Sequence, residues 1–383
     1  MAKRCLAILG STGSIGVNTL KVVDHHPDQF KVVALSAYNN LTVLRQQIKK
    51  YQPSYVAAHF KILQELKKEF GSLKIKFFDV DTEIQYLAIL KEVDTVVLAM
   101  RGAGALAPFL EAVRAGKRVA PANKEAIVIA GELIMKEAHR NKAEIIPIDS
   151  EQSAIFQCID GQKVPVKKIH LTASGGPLRD VPYKNFSSVS VKDILDHPRW
   201  RMGSKITVDS ATLMNKGFEF IEAQRLFNLA FNQIEIIVHP EAIIHSMVEF
   251  NDGSWLAQLA ITDMRIPIQY ALTYPFRYET GLKALDLVKV QSLNFQKPDL
   301  KKFPSLSLAL EVAQKGGTLP SILNASNEEV VDVFLKGKIN LISMYKVIEK
   351  VVRGHKIIKN PSLNDIYAAD RWAREETKAI LWR

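Results

Sequence analysis

Between residues 4 and 148, short apolar runs alternate with amphipathic stretches along the chain. The runs are Cys5–Leu9, Val32–Leu35, Tyr55–Ala57, Ile75–Phe78, Thr95–Ala99, Arg118–Ala120 and Glu144–Ile148. Between them, Ile15–Asp24, Val43–Lys50, Ile62–Phe70, Ala105–Ala115 and Ala126–His139 place apolar residues at helical spacing. Such strand–helix alternation predicts a doubly wound, Rossmann-like α/β domain over residues 1–148, its parallel sheet covered on both faces. After Asp149 the pattern changes. Strand-like runs at Lys168–Thr172 and Ile234–Val238 are followed by an alternating segment, His245–Leu259, broken by the hairpin signal Asn251-Asp252-Gly253. With a helical stretch at Gly217–Phe227, this predicts a central α/β domain over 149–277. Residues 278–303 lack periodicity and read as a connecting arm. From Pro304 onward the pattern is helical, at Ser307–Gln314, Asn327–Lys336 and Ile342–Arg353, which predicts a small C-terminal helical domain over 304–383.

Composition narrows the class. A chain of 383 residues exceeds one compact core, in keeping with several domains. No apolar run approaches the length of a membrane span, so no membrane association is expected. The 51 Lys and Arg outnumber the 40 Asp and Glu, giving +11. These cations are scattered, with only short pairs such as Lys49-Lys50 and Lys301-Lys302, and no nucleic-acid-binding signature accompanies them. Solvated faces account for most of the excess, and no nucleic acid partner is expected. Two cysteines, Cys5 and Cys158, cannot staple a chain of this size, which suits a reducing compartment. The first strand begins at Arg4, leaving no room for a secretory signal, so a cytoplasmic protein is expected.

The chemistry sits in a few segments. Gly10-Ser11-Thr12-Gly13-Ser14-Ile15-Gly16 follows the first strand and opens the first helix, the context in which a glycine loop cradles a pyrophosphate. A strand end that selects NAD carries an acid for the ribose 2′-OH; here Ala37-Tyr38-Asn39-Asn40 has none, which favours NADP, although the usual arginine is missing as well. Asp149-Ser150-Glu151 ends the last strand of the first domain. On an extended chain its two acids project to one side, roughly 6.5–7 Å apart, and suit one hard divalent cation. Alone, such a triplet is also what a solvated strand end looks like. In Val208–Glu219, Ser210, Asn215 and Lys216 offer a hydroxyl, an amide and an ammonium to a phosphate, and Glu219 lies about one helical turn beyond Lys216 as a third metal oxygen. Asn-Lys-Gly is equally a common turn. Thr172–Pro177 is a small-residue loop able to wrap an anion, His197–Gly203 an aromatic, basic lid candidate, and Ala122–Glu125 lies at the ligand-binding edge of the sheet.

Together these segments resemble the 1-deoxy-D-xylulose 5-phosphate reductoisomerases of the non-mevalonate isoprenoid pathway. The resemblance runs through GSTGSIG (Gly10–Gly16), ANKE (Ala122–Glu125), PIDSE (Pro147–Glu151), TASGGP (Thr172–Pro177), HPRWRMG (His197–Gly203), VDSATLMNKGFE (Val208–Glu219) and GGTLPSILNASNE (Gly316–Glu328). It implies NADPH bound by Gly10, Ser11, Thr12, Gly13, Ser14, Ile15, Gly16, Ala37, Asn39, Asn40, Asn123, Glu125 and Gly203. It also implies Mg²⁺, Mn²⁺ or Co²⁺ held by Asp149, Glu151 and Glu219. The substrate, a small phosphorylated sugar, would meet Ser174, Ser210, Asn215, Lys216 and nearby His245 through its phosphate. Its other oxygens would meet Ser150 and Lys124, beneath a flap carrying His197, Trp200 and Met202. Lys124, Asp149, Glu151 and Glu219 would carry the chemistry, a metal-assisted skeletal rearrangement followed by hydride reduction, in a homodimeric enzyme. The chain departs from the family pattern at Tyr38-Asn39, where a glycine and a basic residue are usual. It also departs at Met100-Arg101-Gly102, at Arg201, and at Glu241-Ala242, where Gln-Ser is usual. Two other readings of the residues stay open here. A plain NADP-dependent dehydrogenase would leave the three acids without a task, and a non-catalytic nucleotide-binding protein would bind cofactor without turnover.

Overall fold

The computed structural model describes residues 3–195 and 203–382. The flap residues His197, Trp200 and Met202, and Arg201 with them, therefore lie outside the described residues. The chain divides into two units. One comprises Met1–Ala126, Glu132–Ser153 and Asp263–Lys283, the other Ile127–Gly131, Ala154–Thr262 and Ala284–Arg383.

In the first unit, strands β1 (Arg4–Leu9), β2 (Phe30–Ala37), β3 (Tyr55–Ala58), β4 (Lys76–Asp79), β5 (Thr95–Leu98) and β6 (Arg118–Pro121) alternate with helices α1 (Ser14–His25), α2 (Leu41–Tyr51), α3 (Phe60–Phe70), α4 (Ile84–Ala88) and α5 (Leu106–Arg114). The strands form one sheet in the order β4-β3-β2-β1-β5-β6, every pair parallel. Its central strands are buried on both faces because helices cover both, as the unbroken apolar runs require. The order reverses beside β1, the switch point at which such sheets bind ligands. α6 (Lys124–Arg140) and α7 (Ser150–Ile159) follow.

Two expectations change here. Glu144–Ile148 makes only an isolated bridge, Ile145 to Val119, extended by backbone hydrogen bonds to β6. More importantly, Ser150 and Glu151 are not on an extended strand end: they open helix α7, whose first turn closes when the Ser153 N–H donates to Asp149 O at 2.8 Å. An acid in that first turn is stabilised by the helix dipole.

The second unit holds a mixed sheet in the order β10-β9-β7-β8, made of β7 (Val166–Ala173), β8 (Ile234–Val238), β9 (Ile244–Phe250) and β10 (Trp255–Leu259). The expected hairpin joins β9 to β10. Its helices are α8 (Val191–Leu195), α9 (Ser204–Ala211) and α10 (Met214–Leu226). α11 (Arg265–Thr273) instead packs on α1 in the first unit, where the His26 and Gln269 side chains meet at 3.0 Å. Residues 263–283, assigned from the sequence mainly to a central domain, thus belong with the Rossmann-like unit. α12 (Leu287–Val290), α13 (Pro304–Lys315), α14 (Leu319–Leu335), α15 (Leu341–Gly354) and α16 (Leu363–Leu381) complete the chain. The C-terminal helices do not stand apart. Leu306, Ala309, Ile322 and Val330 share one core with Phe218, Ile221 and Leu171.

α10 is the axis of that core, buried nearly all round. Gly217 lets it approach α13 so closely that a Cβ there would lie 2.3 Å from the Ala309 Cβ. We expect Gly217→Val to lower stability by roughly 1–3 kcal/mol through overpacking. Urea unfolding checks this, and an unchanged midpoint would refute close packing at this helix pair.

Candidate functional site

The glycine loop joins β1 to α1 at the sheet's carboxyl edge. Gly10 has φ +90°, and a Cβ there would meet the Ala99 carbonyl oxygen at 2.6 Å. A Cβ on Gly16 would lie 2.4 Å from the Gly10 carbonyl oxygen, so α1 starts hard against the loop. The Gly10 N–H donates to Ser36 Oγ at 2.9 Å and the Ser11 N–H to Ser36 O at 2.7 Å. The buried Ser11 hydroxyl donates to Gln47 Oε1 at 2.7 Å, and Gln47 Nε2 returns a bond to Ser11 O at 2.9 Å. The loop is therefore fixed in place with its glycines bare of side chains, as a backbone cradle for a pyrophosphate requires. Gln47, a buried polar residue on α2, was not singled out by sequence; its place on the inward face of an amphipathic helix was the available signal. Asn40 caps α2 through the Val43 N–H at 3.2 Å, and Asn39 is exposed beside it.

At the end of β6, Asn123 is almost wholly buried. Its amide donates to Met100 O (3.0 Å) and Gly102 O (3.1 Å) and accepts the Ala126 N–H at 2.8 Å, capping α6. The Asn123 side chain thus holds the turn after β5. Lys124, the first residue of α6, is 5 % exposed, and its Nζ pairs with Asp149 at 2.9 Å. A buried ammonium needs such a partner. The Ser150 hydroxyl donates to Glu151 at 2.6 Å. The first unit therefore gathers Lys124, Asp149, Ser150 and Glu151, with Glu125 in the first turn of α6.

The second unit assembles the other half of the expected constellation. Val208–Glu219 spans two helices: α9 ends at Ala211, Leu213 turns through the left-handed region (φ 58°), and α10 begins at Met214. Asn215, Lys216 and Glu219 share one face of α10, and both the Asn215 amide and the Lys216 ammonium donate to the Glu219 carboxylate. Lys216 and Glu219 are both buried. Gly176 (φ +67°) brings the Ser174 loop against the end of α9, since a Cβ there would lie 2.5 Å from Ser210 O. Ser174 Oγ accepts the Gly176 N–H at 3.3 Å. His245 lies on β9 beside this loop, its carbonyl taking the Thr172 hydroxyl at 2.9 Å. Gly203 precedes α9 as its cap. Asp209, also buried, takes Lys205 at 2.8 Å and Asn327 of α14 at 2.8 Å. Asn327 was missed by sequence, because 118 residues separate the partners.

The departure at Glu241-Ala242 has a structural counterpart. Ala242 adopts φ 53°, and His239 Nε2 accepts the Ile243 and Ile244 N–H groups at 3.2 Å each. Burial pushes the Glu241 carboxyl up, but hydrogen bonds from Asn294 outweigh it and hold the group below its ordinary value. Glu241 thus anchors the loop to Asn294.

A parallel sheet with this glycine cradle at its switch point, and buried polar side chains at its carboxyl edge, defines a dinucleotide-binding α/β protein. Sequence comparison gives the particular family. A profile described as 1-deoxy-D-xylulose 5-phosphate reductoisomerase matches residues 6–131, its C-terminal domain matches 145–227, and a DXP reductoisomerase C-terminal domain matches 259–376. The 1-deoxy-D-xylulose 5-phosphate reductoisomerase of Pelotomaculum thermopropionicum is 47% identical over 372 residues, 96% of each chain. That of Heliobacterium modesticaldum is 48% identical over 378 residues, 98% of this chain and 96% of its own. Among solved structures, the Zymomonas mobilis reductoisomerase in complex with NADPH superposes with a TM-score of 0.92 at 36% identity, covering 99% of both chains. A DOX-P reductoisomerase in complex with NADPH, fosmidomycin and magnesium gives 0.94 at 37% identity, covering 99% of this chain and 98% of its own. The chain belongs to the 1-deoxy-D-xylulose 5-phosphate reductoisomerase family.

The cradle can be tested without disturbing the fold. Gly13 is the N-cap of α1, with φ −77° and ψ 172°, and its nearest obstacle to a Cβ is Gly10 O at 3.5 Å. Aspartate is a good N-cap, yet its charge would face a bound pyrophosphate. Gly13→Asp should keep or raise the melting temperature while weakening NADPH binding at least about tenfold. Calorimetric titration measures this, and full affinity would rule out the loop as the pyrophosphate site.

Proposed function

We propose that Asp149, Glu151 and Glu219 hold one divalent cation, Mg²⁺ or Mn²⁺, and that NADPH lies along Gly10–Gly16. In this reading Ser174, Ser210, Asn215 and Lys216, with His245 nearby, receive the substrate phosphate. Ser150 and Lys124 meet its other oxygens, and the segment carrying His197, Trp200 and Met202 covers it. The chain is an NADPH- and metal-dependent oxidoreductase that converts 1-deoxy-D-xylulose 5-phosphate into 2-C-methyl-D-erythritol 4-phosphate. The observation that carries the assignment of roles is the acid set itself. Asp149 and Glu151 stand together at the start of α7, and Glu219 lies on the buried helix α10. All-oxygen carboxylate donors fit a hard cation better than a soft one.

Bound there, a divalent cation supplies Lewis acidity toward a ketone and its neighbouring hydroxyl. The chain's own residues do the rest. Lys124, held by Asp149, keeps an ammonium oriented beside the acids. Asn215 and Lys216 carry donors on the same turn as Glu219, so phosphate recognition and the third acid share one rigid helix. Phosphate affinity remote from the reacting carbons then orients the sugar. The relative solved with NADPH, fosmidomycin and magnesium supports the same pairing of cofactor and metal.

We also place the chain in the cytoplasm, as a homodimer. Cys5 and Cys158 are free thiols, which suits a reducing compartment. No described helix is long and apolar enough to cross a membrane. Light scattering on the purified protein should give twice the chain mass.

Turnover is tested by following NADPH absorbance with 1-deoxy-D-xylulose 5-phosphate. Chelator should abolish oxidation and added Mg²⁺ or Mn²⁺ restore it, with NADPH affinity unchanged. Glu219→Gln should stay folded and bind NADPH while kcat falls by at least about a hundredfold. Metal-independent oxidation, or an active Glu219→Gln, would overturn the assignment of the acids.

A further inference from the structure

Tyr38 and His59 each stand one residue past neighbouring parallel strands, because Ala37 of β2 pairs in register with Ala58 of β3. The His59 N–H donates to Tyr38 O at 3.2 Å, and the two rings lie 4.7 Å apart between centroids, tilted by 45°. His59 is buried and doubly tied down. Its Nδ1 accepts the Lys61 N–H at 3.3 Å, and its Nε2 faces Asp81 at 3.5 Å. Tyr38, resting on this fixed ring, is 56 % exposed. An exposed aromatic ring supported from beneath forms a flat shelf on the carboxyl edge of the sheet, two residues beyond Ser36, which holds the glycine loop.

The occupant follows from that position. When a pyrophosphate lies on the loop after β1, the adenosine ribose and base fall beside the end of β2. From Ser36 to Leu44 the chain offers neither an acid for a 2′-OH nor a base for a 2′-phosphate. The next cation, Arg45, is already engaged by Glu65 and Glu69. The end of β2 therefore offers an adenosine a π-face rather than a charge. We propose that Tyr38, backed by His59, is an adenine-stacking residue through which this chain grips the adenosine half of its cofactor. It takes the place of the usual contact between a cation and the 2′-phosphate. The proposal rests on the dinucleotide lying along the glycine loop.

Stacking on a base ignores the 2′ substituent, so its signature is equal loss for both dinucleotides. Calorimetric titration of the full-length protein with NADPH and with NADH reads this directly, without turnover. Tyr38→Ala should weaken both by about tenfold with their ratio unchanged, and Tyr38→Phe should bind as the parent does. His59→Ala, which removes the support under Tyr38 together with the α3 cap, should weaken both by a smaller factor. Unchanged affinities in Tyr38→Ala would overturn the proposal. So would a loss confined to NADPH, which would make Tyr38 a 2′-phosphate ligand. Circular dichroism confirms folding of each variant, and Gly13→Asp is the control: if it binds both dinucleotides normally, the loop assignment has failed, whatever Tyr38→Ala does.

Discussion

Strands that run parallel and are joined through helices must deliver every strand-to-helix loop to the same edge of the sheet. In the first unit this puts the Gly10–Gly16 loop, Tyr38, His59, the Met100–Gly102 turn and Asn123-Lys124 along one rim. Buried polar side chains then lock the rim. Ser36 and Gln47 hold the glycine loop, Asn123 holds the turn after β5, and Asp149 holds Lys124. Each bond is modest by itself, but leaving one buried partner unmade costs far more than making it gains. The rim is therefore ordered by the fold itself, ahead of any ligand.

The second unit solves a different problem, that of keeping charge inside a core. α10 is buried on nearly all sides and still carries Lys216 and Glu219, which an apolar environment tolerates only as partners. Asp209 is treated alike, shared between Lys205 and Asn327. Such placement costs stability, and the C-terminal helices offset it by wrapping α10 in apolar side chains such as Leu306, Ala309 and Ile322. Helices that look like an appendage in the sequence are thus part of the wall around the turn that carries Lys216 and Glu219.

Much of this is legible in the sequence. Unbroken apolar runs alternating with amphipathic stretches specify a doubly covered parallel sheet, and a glycine loop between the first strand and first helix specifies its ligand edge. The same reading failed at Asp149–Glu151, where an extended strand end was expected and the helix α7 begins. Three residues carry no measurable period, so a strand leading directly into a helix cannot be split from pattern alone. Residues 263–283 were misplaced for a related reason. Amphipathicity marks α11 as a helix that packs, but it does not name α1 as the surface it packs on.

By itself the sequence determined the element types, the glycine loop and the inventory of acids, amides and cations, because these depend on local periodicity and side-chain chemistry. Only the tertiary structure decided which of those groups are spent on the protein itself. The Asn123 amide is consumed by the Met100–Gly102 turn, Asp209 meets Asn327 across 118 residues, and Tyr38 comes to rest on His59. Partnerships of this kind arise from strand register and helix packing, which are set by how the whole chain buries its apolar surface and leave no mark in any short window.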